Sequence, residues 1–512
     1  MSQSMISDVQ AWMTRKQAAL LPQGSLRARL VVGVFWSMAG TLIAQALQLA
    51  ATIFVARWLG KSEYGQIGII KSTVGMLGIF VGLGLGLTAV KYVSELRERD
   101  PARAGRIASL TMTVAVVSGA IVTAALVLGS PWLARQTLGS GTVARPLAIG
   151  AGLLFFGEVN GVQGGILSGL EAFESLARVS LWAGVCSVPI IITATWAWGV
   201  IGAVSGLVLS AGLNCVLTHL TLRREACRAG IPLSHFGRWE ERTVLWKFSL
   251  PAFLGGAVVT PVSWACNALL VNRPKGYAEM GLFSAADQWR TALLFLPGIV
   301  SRVLMPILSS HSDESAGESG RFSTTLEAGY SVGVLAAFPL VAALSFGGGL
   351  LTRAYGPDFV GMRYPLAGVL YAAGIIAISQ PIGLSIQAKG AMWLGFTYNL
   401  IWGLCLLGSF HFVLSKFGAW GLGLAYSCSY FALTTAFNWY FCKAGYFPRH
   451  LGARTYGASF CLLLFAFAPL CLPASLSLRV GPVAFALSLG AVWAFLPAGV
   501  RSRLISSGKR LS

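Results

Sequence analysis

Fourteen apolar stretches follow one another along the chain, separated by short polar loops. A helix needs about 20 apolar residues to cross the ~30 Å hydrocarbon layer, and on that rule the stretches fall at 31–55, 67–90, 107–129, 147–169, 179–199, 201–221, 248–271, 282–308, 329–351, 364–386, 391–414, 419–441, 456–473 and 481–499. They leave little else: only 11% of the residues are charged and 55% are hydrophobic, whereas about 25% charged residues are usual in a soluble globule. The expected fold is an all-α polytopic membrane protein. Its loops are too short to fold alone, since an independent domain needs at least ~40–50 residues. Any chemistry must therefore belong to helix ends or to the bundle interior.

The formal charge of +20 would suggest nucleic acid in a soluble domain. Here Lys and Arg sit in short clusters between the apolar runs, where they set topology and meet anionic lipid headgroups, so nucleic acid is not an expected partner. With the N-terminus inside, 25 basic residues lie on the inner side, ten on the outer side and three, Lys71, Arg290 and Arg302, within the spans. The inner side is then cytoplasmic, as are both chain ends. The polar segment 1–28 reads as cytoplasmic rather than as a cleaved leader.

The short stretch Arg57-Trp58-Leu59-Gly60-Lys61-Ser62-Glu63-Tyr64-Gly65 joins the first two spans, and it returns 216 residues later as Arg273-Pro274-Lys275-Gly276-Tyr277-Ala278-Glu279-Met280-Gly281. Arg57, Gly60, Glu63 and Gly65 thus match Arg273, Gly276, Glu279 and Gly281. Both copies read as hairpin corners that open two related halves. The expected organisation is a first six-helix half at 29–221, a cytoplasmic linker at 222–247, a second six-helix half at 248–441, two additional helices at 442–500 and a cytoplasmic tail at 501–512. An even number of spans per half makes the halves parallel, with a central cleft between them, as in transporters whose halves rock.

Charge inside the bundle marks the candidate pathway. Glu158 lies in a run without other charge from Arg145 to Glu171, near the midplane. A carboxyl there costs about 2.5–3.5 kcal/mol on insertion scales, which is tolerated when it faces a partner or a wet cavity. Its helix carries Gly157, Gly161 and Gly165, a row that permits close helix contact. One reading ties two helices together through Glu158, helped by Asn160 or Gln163; the other gives it a part in transport, with proton or sodium coupling. The eighth span holds Asp287, Arg290 and Arg302. Eleven residues between the two arginines cover only ~16 Å, so at least one faces the cleft. Asp287 and Arg290 can pair at i, i+3. Lys71 occupies the position equivalent to Asp287; one reading has it add a cation to the cleft from the first half, the other has it snorkel to the outer interface, since residues 72–90 are nearly enough to span by themselves. Gln45, Gln48, Asn267 and Gln380 are polar amides for the path or for interhelical contact. Trp58, Tyr64, Trp289 and Tyr364 suit the interfacial belt. The nine cysteines read as free thiols, most of them buried, and the five histidines share no metal spacing, so neither a metal nor an organic cofactor is expected. No phosphate-binding loop or catalytic triad is present.

The corner at 56–65, the Ser249-Leu250-Pro251-Ala252-Phe253-Leu254 stretch and Tyr355-Gly356-Pro357-Asp358-Phe359 resemble the polysaccharide transporters of the MOP superfamily, including the Wzx-type O-antigen flippases. The likeness spans about residues 29–450. It implies a transporter, not an enzyme, that flips a polyprenyl-pyrophosphate-linked oligosaccharide (an O-antigen, capsule or exopolysaccharide repeat unit) across the bacterial inner membrane by alternating access without ATP. Lipid-linked sugar, membrane lipids and polysaccharide-assembly proteins are the implied partners. The first span has no basic residue in its apolar stretch, unlike the lipid II flippases of that superfamily. A cation-coupled multidrug exporter would want a more acidic cleft, and a polymerase or glycosyltransferase a larger outer loop.

Overall fold

A computed structural model describes residues 26–82, 84–232, 238–244, 257–310 and 319–502; nearly all of the expected segments 1–28 and 501–512 lies outside them. Every element among the described residues is helical, as expected for backbone that must bond to itself inside lipid. Leu26–Gly82 is two helices that meet at Gly60, α1 (26–59) and α2 (61–82), and α2 resumes as Leu85–Leu96 after a left-handed Gly84 at φ 69°. There follow α3 Pro101–Trp132 and α4 Ala144–Gly169. Phe173–Arg228 breaks at Trp198 and Gly199 into α5 (173–197) and α6 (200–228). The second half contains α7 Val259–Val271, α8 Gly276–Ser310, α9 Ser319–Phe346, α10 Arg363–Ala388, α11 Met392–Gly408 and α12 Gly418–Lys443, before α13 Arg449–Phe467 and α14 Ala474–Phe495. Nine of the described helical stretches are by themselves long and apolar enough to cross a membrane, and the helices coincide in order with the fourteen expected segments.

The corners explain the repeat. Gly60 takes φ 75°, a left-handed conformation that favours glycine, and lets the chain turn from α1 into α2. In the second copy Lys275 carries the positive φ, at 60°, and Gly276 sits against the carbonyls of Leu270 and Val271. The two corners pack on each other with local two-fold symmetry: Gly65 meets the backbone of Tyr277 and Gly281, and Gly281 meets the backbone of Lys61. Position 277 is the 216-residue equivalent of 61, and 281 of 65, so each corner lays the same surface on its counterpart. A turn further along, Gly68 abuts Ser284, again an equivalent pair.

Around this crossing the corner end of the bundle is closed by further contacts between the halves. Asn272 Nδ2 donates to Thr137 O at 2.7 Å, and Tyr277 Oη donates to Leu138 O at 2.7 Å. Tyr64 packs edge-on against Phe359 at 6.0 Å, and Gly60 faces the Asp358 carboxylate. Tyr64 is therefore buried, at 3% exposure, and Trp289 packs partly buried against the core; neither belongs to the interfacial belt, because the corners fold inward onto each other. Trp58 is exposed, as a belt residue should be. Glu279 accepts a hydrogen bond from Ala419 N at 2.8 Å, placing a carboxylate on the N-terminus of α12, where the helix dipole favours it. The matching Glu63, with Arg57 and Arg273, is exposed.

Within the second half α10 is the enclosed helix, apolar on all sides and ringed by α8, α9, α12 and α13. The two additional helices lie against α9, where Phe338 stacks on Phe495 at 5.6 Å and meets Phe465 edge-on at 6.1 Å. In the first half α2 and α4 approach through Gly86, Gly161 and Gly165. The linker is clamped to α3: Glu241, 7% exposed, takes Arg103 Nε at 3.0 Å and Arg106 Nη2 at 3.3 Å. All nine cysteines are free, but only Cys266 is buried; Cys227, Cys428 and Cys471 are exposed and the other five are half-buried, since an apolar run also presents a face to lipid and Cys227 lies outside such a run.

Gly65→Val is expected to destabilise the purified protein by about 1–3 kcal/mol, because a Cβ at 65 runs into backbone that has nowhere to move. Gly75→Val, at a position with open space around it, is expected to be near neutral. Thermal unfolding of the two variants in the same detergent compares them directly.

Candidate substrate cavity

A cavity of about 830 Å³ lies below the crossed corners, walled by α1, α2, α7, α8, α11 and α12 with small contributions from α5 and α6. Two helices supply its charge. On α2, Lys71 is exposed to the cavity; on α8, Asp287 and Arg290 stand three residues apart and therefore on one face. The pair is bidentate: Arg290 Nε donates to Asp287 Oδ1 at 2.5 Å and Nη2 donates to Oδ2 at 3.1 Å. The guanidinium also lies 5.9 Å from the centroid of the Tyr426 ring, within reach of a cation–π contact. Lys71 enters no salt bridge within 4.0 Å among the described residues, although Asp287 acts on it electrostatically. Among the described residues, two cations and one anion leave the cavity lining with one net positive charge.

The remaining lining is amphipathic. Gln45 and Gln48 of α1 face the cavity, as does Asn267 of α7, whose Nδ2 donates across the halves to Ser72 Oγ at 2.9 Å. Beside it Trp264 Nε1 donates to Thr73 Oγ1 at 3.1 Å. Opposite stand Phe283, Trp402, Tyr426 and Tyr430. Gln380 is not in the lining; its Oε1 is buried without a hydrogen-bond partner among the described residues. The aromatic wall went unread in the sequence, where aromatics are common. Its signal was the i, i+4 spacing of Tyr426 and Tyr430, which puts both rings on one face of α12.

Two candidate residues stand apart. Arg302 lies in α8, but its side chain is outside the described residues. Glu158 does not line this cavity. It is half-buried where α4 crosses α2, and its carboxylate rests on the glycines: a Cβ at Gly82 would lie 2.6 Å from Oε2 and one at Gly78 2.9 Å from Oε1. Its expected helpers turn elsewhere, Asn160 Nδ2 to Ala211 O at 3.2 Å and Gln163 Nε2 to Cys215 Sγ at 3.7 Å, both on α6. Glu158 itself makes no hydrogen bond or ion pair among the described residues.

The contacts between halves decide which way the cavity opens. The hydrogen bonds, ring contact and glycine approaches described above that join them lie between the corners and the level of Thr73 and Trp264. These contacts close the cavity on the side of the corners.

Comparison with known proteins places this arrangement. A family model described as polysaccharide biosynthesis protein matches residues 30–312. The EPS I polysaccharide export inner membrane protein EpsE of Ralstonia solanacearum is 23% identical over 392 residues, 75% of this chain and 87% of that protein. Among solved structures, the lipid II flippase MurJ in an inward closed conformation aligns with a TM-score of 0.63 at 14% identity, over 91% of this chain and 98% of MurJ. An inward-facing multidrug resistance MATE family transporter of the MOP superfamily aligns with a TM-score of 0.58 at 15% identity, over 87% and 99% of the two chains. At such identities these structures speak to the fold alone.

In a cysteine-free protein, Thr291→Cys in the cavity wall is expected to react with a membrane-impermeant maleimide in inside-out vesicles and to stay unlabelled in intact cells. Ser62→Cys at the exposed corner is expected to show the opposite pattern. Labelling of residue 291 from the outer face would reverse the direction in which the cavity opens.

Proposed function

The chain belongs to the polysaccharide biosynthesis protein family, and from that premise we propose that it is an inner-membrane flippase that carries a polyprenyl-pyrophosphate-linked oligosaccharide from the cytoplasmic to the periplasmic face. The observation that carries the reading is a cavity of about 830 Å³ with one net positive charge, shared between the two halves. Its size admits a headgroup and a few sugars, and its cations match a phosphate, for which arginine offers a planar fork and lysine a point charge. The relationship to EpsE, a polysaccharide export inner membrane protein, supports the same reading.

In this proposal the present state receives cargo from the inner side. The anionic end settles at Arg290, in the part of the cavity that Lys71 also makes positive, and the sugar lies along the polar and aromatic walls. Export follows when the corner contacts around Gly65 and Gly281 part and the inner ends close. The chain needs no nucleotide for this, and coupling to protons or sodium is assigned to Glu158, the embedded carboxylate outside the cavity. A multidrug exporter fits less well, because a cationic drug would meet a net positive lining.

Expression of the wild-type chain in a bacterium lacking its own flippase for a matching repeat unit is expected to restore surface polysaccharide. Lys71→Gln and Arg290→Ala are each expected to cut export at least about tenfold, on the scale of one charge-assisted contact, with lipid-linked oligosaccharide accumulating on the cytoplasmic face. Glu158→Gln is expected to slow export and flatten its dependence on the proton or sodium gradient. Restored drug resistance without polysaccharide would assign the chain to the exporters instead, and accumulation of unpolymerised units outside the cell in its absence would make it a polymerase.

A further inference from the structure

The one arginine described in the cavity is already occupied. Asp287 takes the Nε–Nη2 edge of its guanidinium, at 2.5 and 3.1 Å, and a phosphate cannot take that bidentate edge while the carboxylate fills it. Asp287 is nevertheless not locked in place. Its side chain is 30% exposed and that of Arg290 25%, both open to the cavity, whereas Arg290 keeps a second hold on Tyr426 that does not depend on the carboxylate. Across the cavity stands Lys71, at the equivalent position of the facing helix, without a salt bridge among the described residues and within the electrostatic reach of Asp287.

We propose that Asp287 is an internal counter-ion that the cargo replaces. In the empty cavity it neutralises Arg290. The anionic end of the cargo takes over the guanidinium fork, and the displaced carboxylate turns to Lys71. Charge stays balanced through the exchange: Arg290 is paired with one negative charge of the cargo, and Lys71 with Asp287. The exchange also changes which parts of the protein are joined. The resting pair lies within α8, whereas an Asp287–Lys71 pair bridges α8 and α2, the helices whose crossing closes the outer face. Cargo binding would thus be felt at the contact between the halves. The ligand chemistry is a phosphate or pyrophosphate group, and the identification of its bearer as a lipid-linked sugar rests on the export reading above.

Binding of farnesyl pyrophosphate and of inorganic pyrophosphate to the purified full-length protein in nanodiscs tests this. Asp287→Asn is expected to bind either probe about tenfold more tightly than wild type, the gain from removing one charged competitor, while Asp287→Glu, which keeps the competitor, stays within about twofold. Arg290→Ala is expected to weaken binding. In the Arg290→Ala background, Asp287→Asn is expected to change nothing further, because there is no fork left to free. Lys71→Gln, which removes the destination of the displaced carboxylate, is expected to weaken the probe as well. Unchanged or weaker binding by Asp287→Asn while Asp287→Glu behaves like wild type would overturn the exchange, as would a gain that persists without Arg290 or a Lys71→Gln protein that binds like wild type. Tighter binding of the lipid than of inorganic pyrophosphate is expected. Equal binding of the two would leave the exchange standing and remove the lipid-linked cargo, so the two ideas fail separately.

Discussion

Because neither Gly65 nor Gly281 carries a side chain, α2 and α8 meet backbone to backbone at the corners, and that crossing determines how close the halves come and which residues look into the space below. Close contact without side chains is a familiar way to hold helices in lipid, where apolar burial gives no preference for protein over acyl chain. Here it has a further consequence, because the two glycines are equivalent positions of a repeat. Whatever follows one corner at a given distance is set opposite whatever follows the other. Lys71 and Asp287 are six residues past Gly65 and Gly281, so they share the cavity by the same symmetry that closes it. The halves have kept the backbone contact and diverged in the sign of the charge below it.

Much of the fold was legible because hydropathy reports the solvent that a segment must face. The expected hairpin between 199 and 201 coincides with the break at Trp198 and Gly199, and the first corner with the turn at Gly60. The interruption of α2 at Gly84 was not legible. Gly82-Leu83-Gly84-Leu85-Gly86 sits in an apolar run, and composition there says nothing about torsion angles. The fate of Tyr64 and Trp289 was also hidden. An aromatic near the end of a span belongs to the lipid interface only if its helix end faces lipid; Tyr64 packs instead on Phe359 of the opposing half and Trp289 packs into the core.

In the cavity, spacing was sufficient for the local pair and the repeat was sufficient for its partner across the cleft. An Asp and an Arg at i, i+3 share a helix face in any tertiary context, and the 216-residue offset brought in Lys71 from a separate part of the chain. Glu158 had neither guide. Its depth followed from the charge-free run around it, but the direction of its side chain depends on how α4 rotates against α2. That rotation is set by the close approach of Gly161 and Gly165 to Gly86. The same row of small residues that marked the helix as tightly packed therefore turned its carboxyl toward α2 and away from the cavity.

The place to which Glu158 is turned gives the two arms of α2 different allegiances. The arm at 61–82 packs across the halves on α8 through Lys61, Gly65 and Gly68, while Leu85–Leu96 packs within its own half on α4, with Val90 and Val93 against Gly169. Between the arms the helix is interrupted, so one can change its angle without carrying the other. Such interruptions are tolerated in lipid only where neighbouring protein covers the freed backbone, and α4 provides that cover. Ser118 of α3 donates to Val81 O at 3.4 Å from the other side. Glu158 rests on Gly82, the last residue of the upper arm, with no side chain between its carboxylate and the backbone. The embedded acid thus lies at the joint between the part of α2 that contacts the other half and the part that does not.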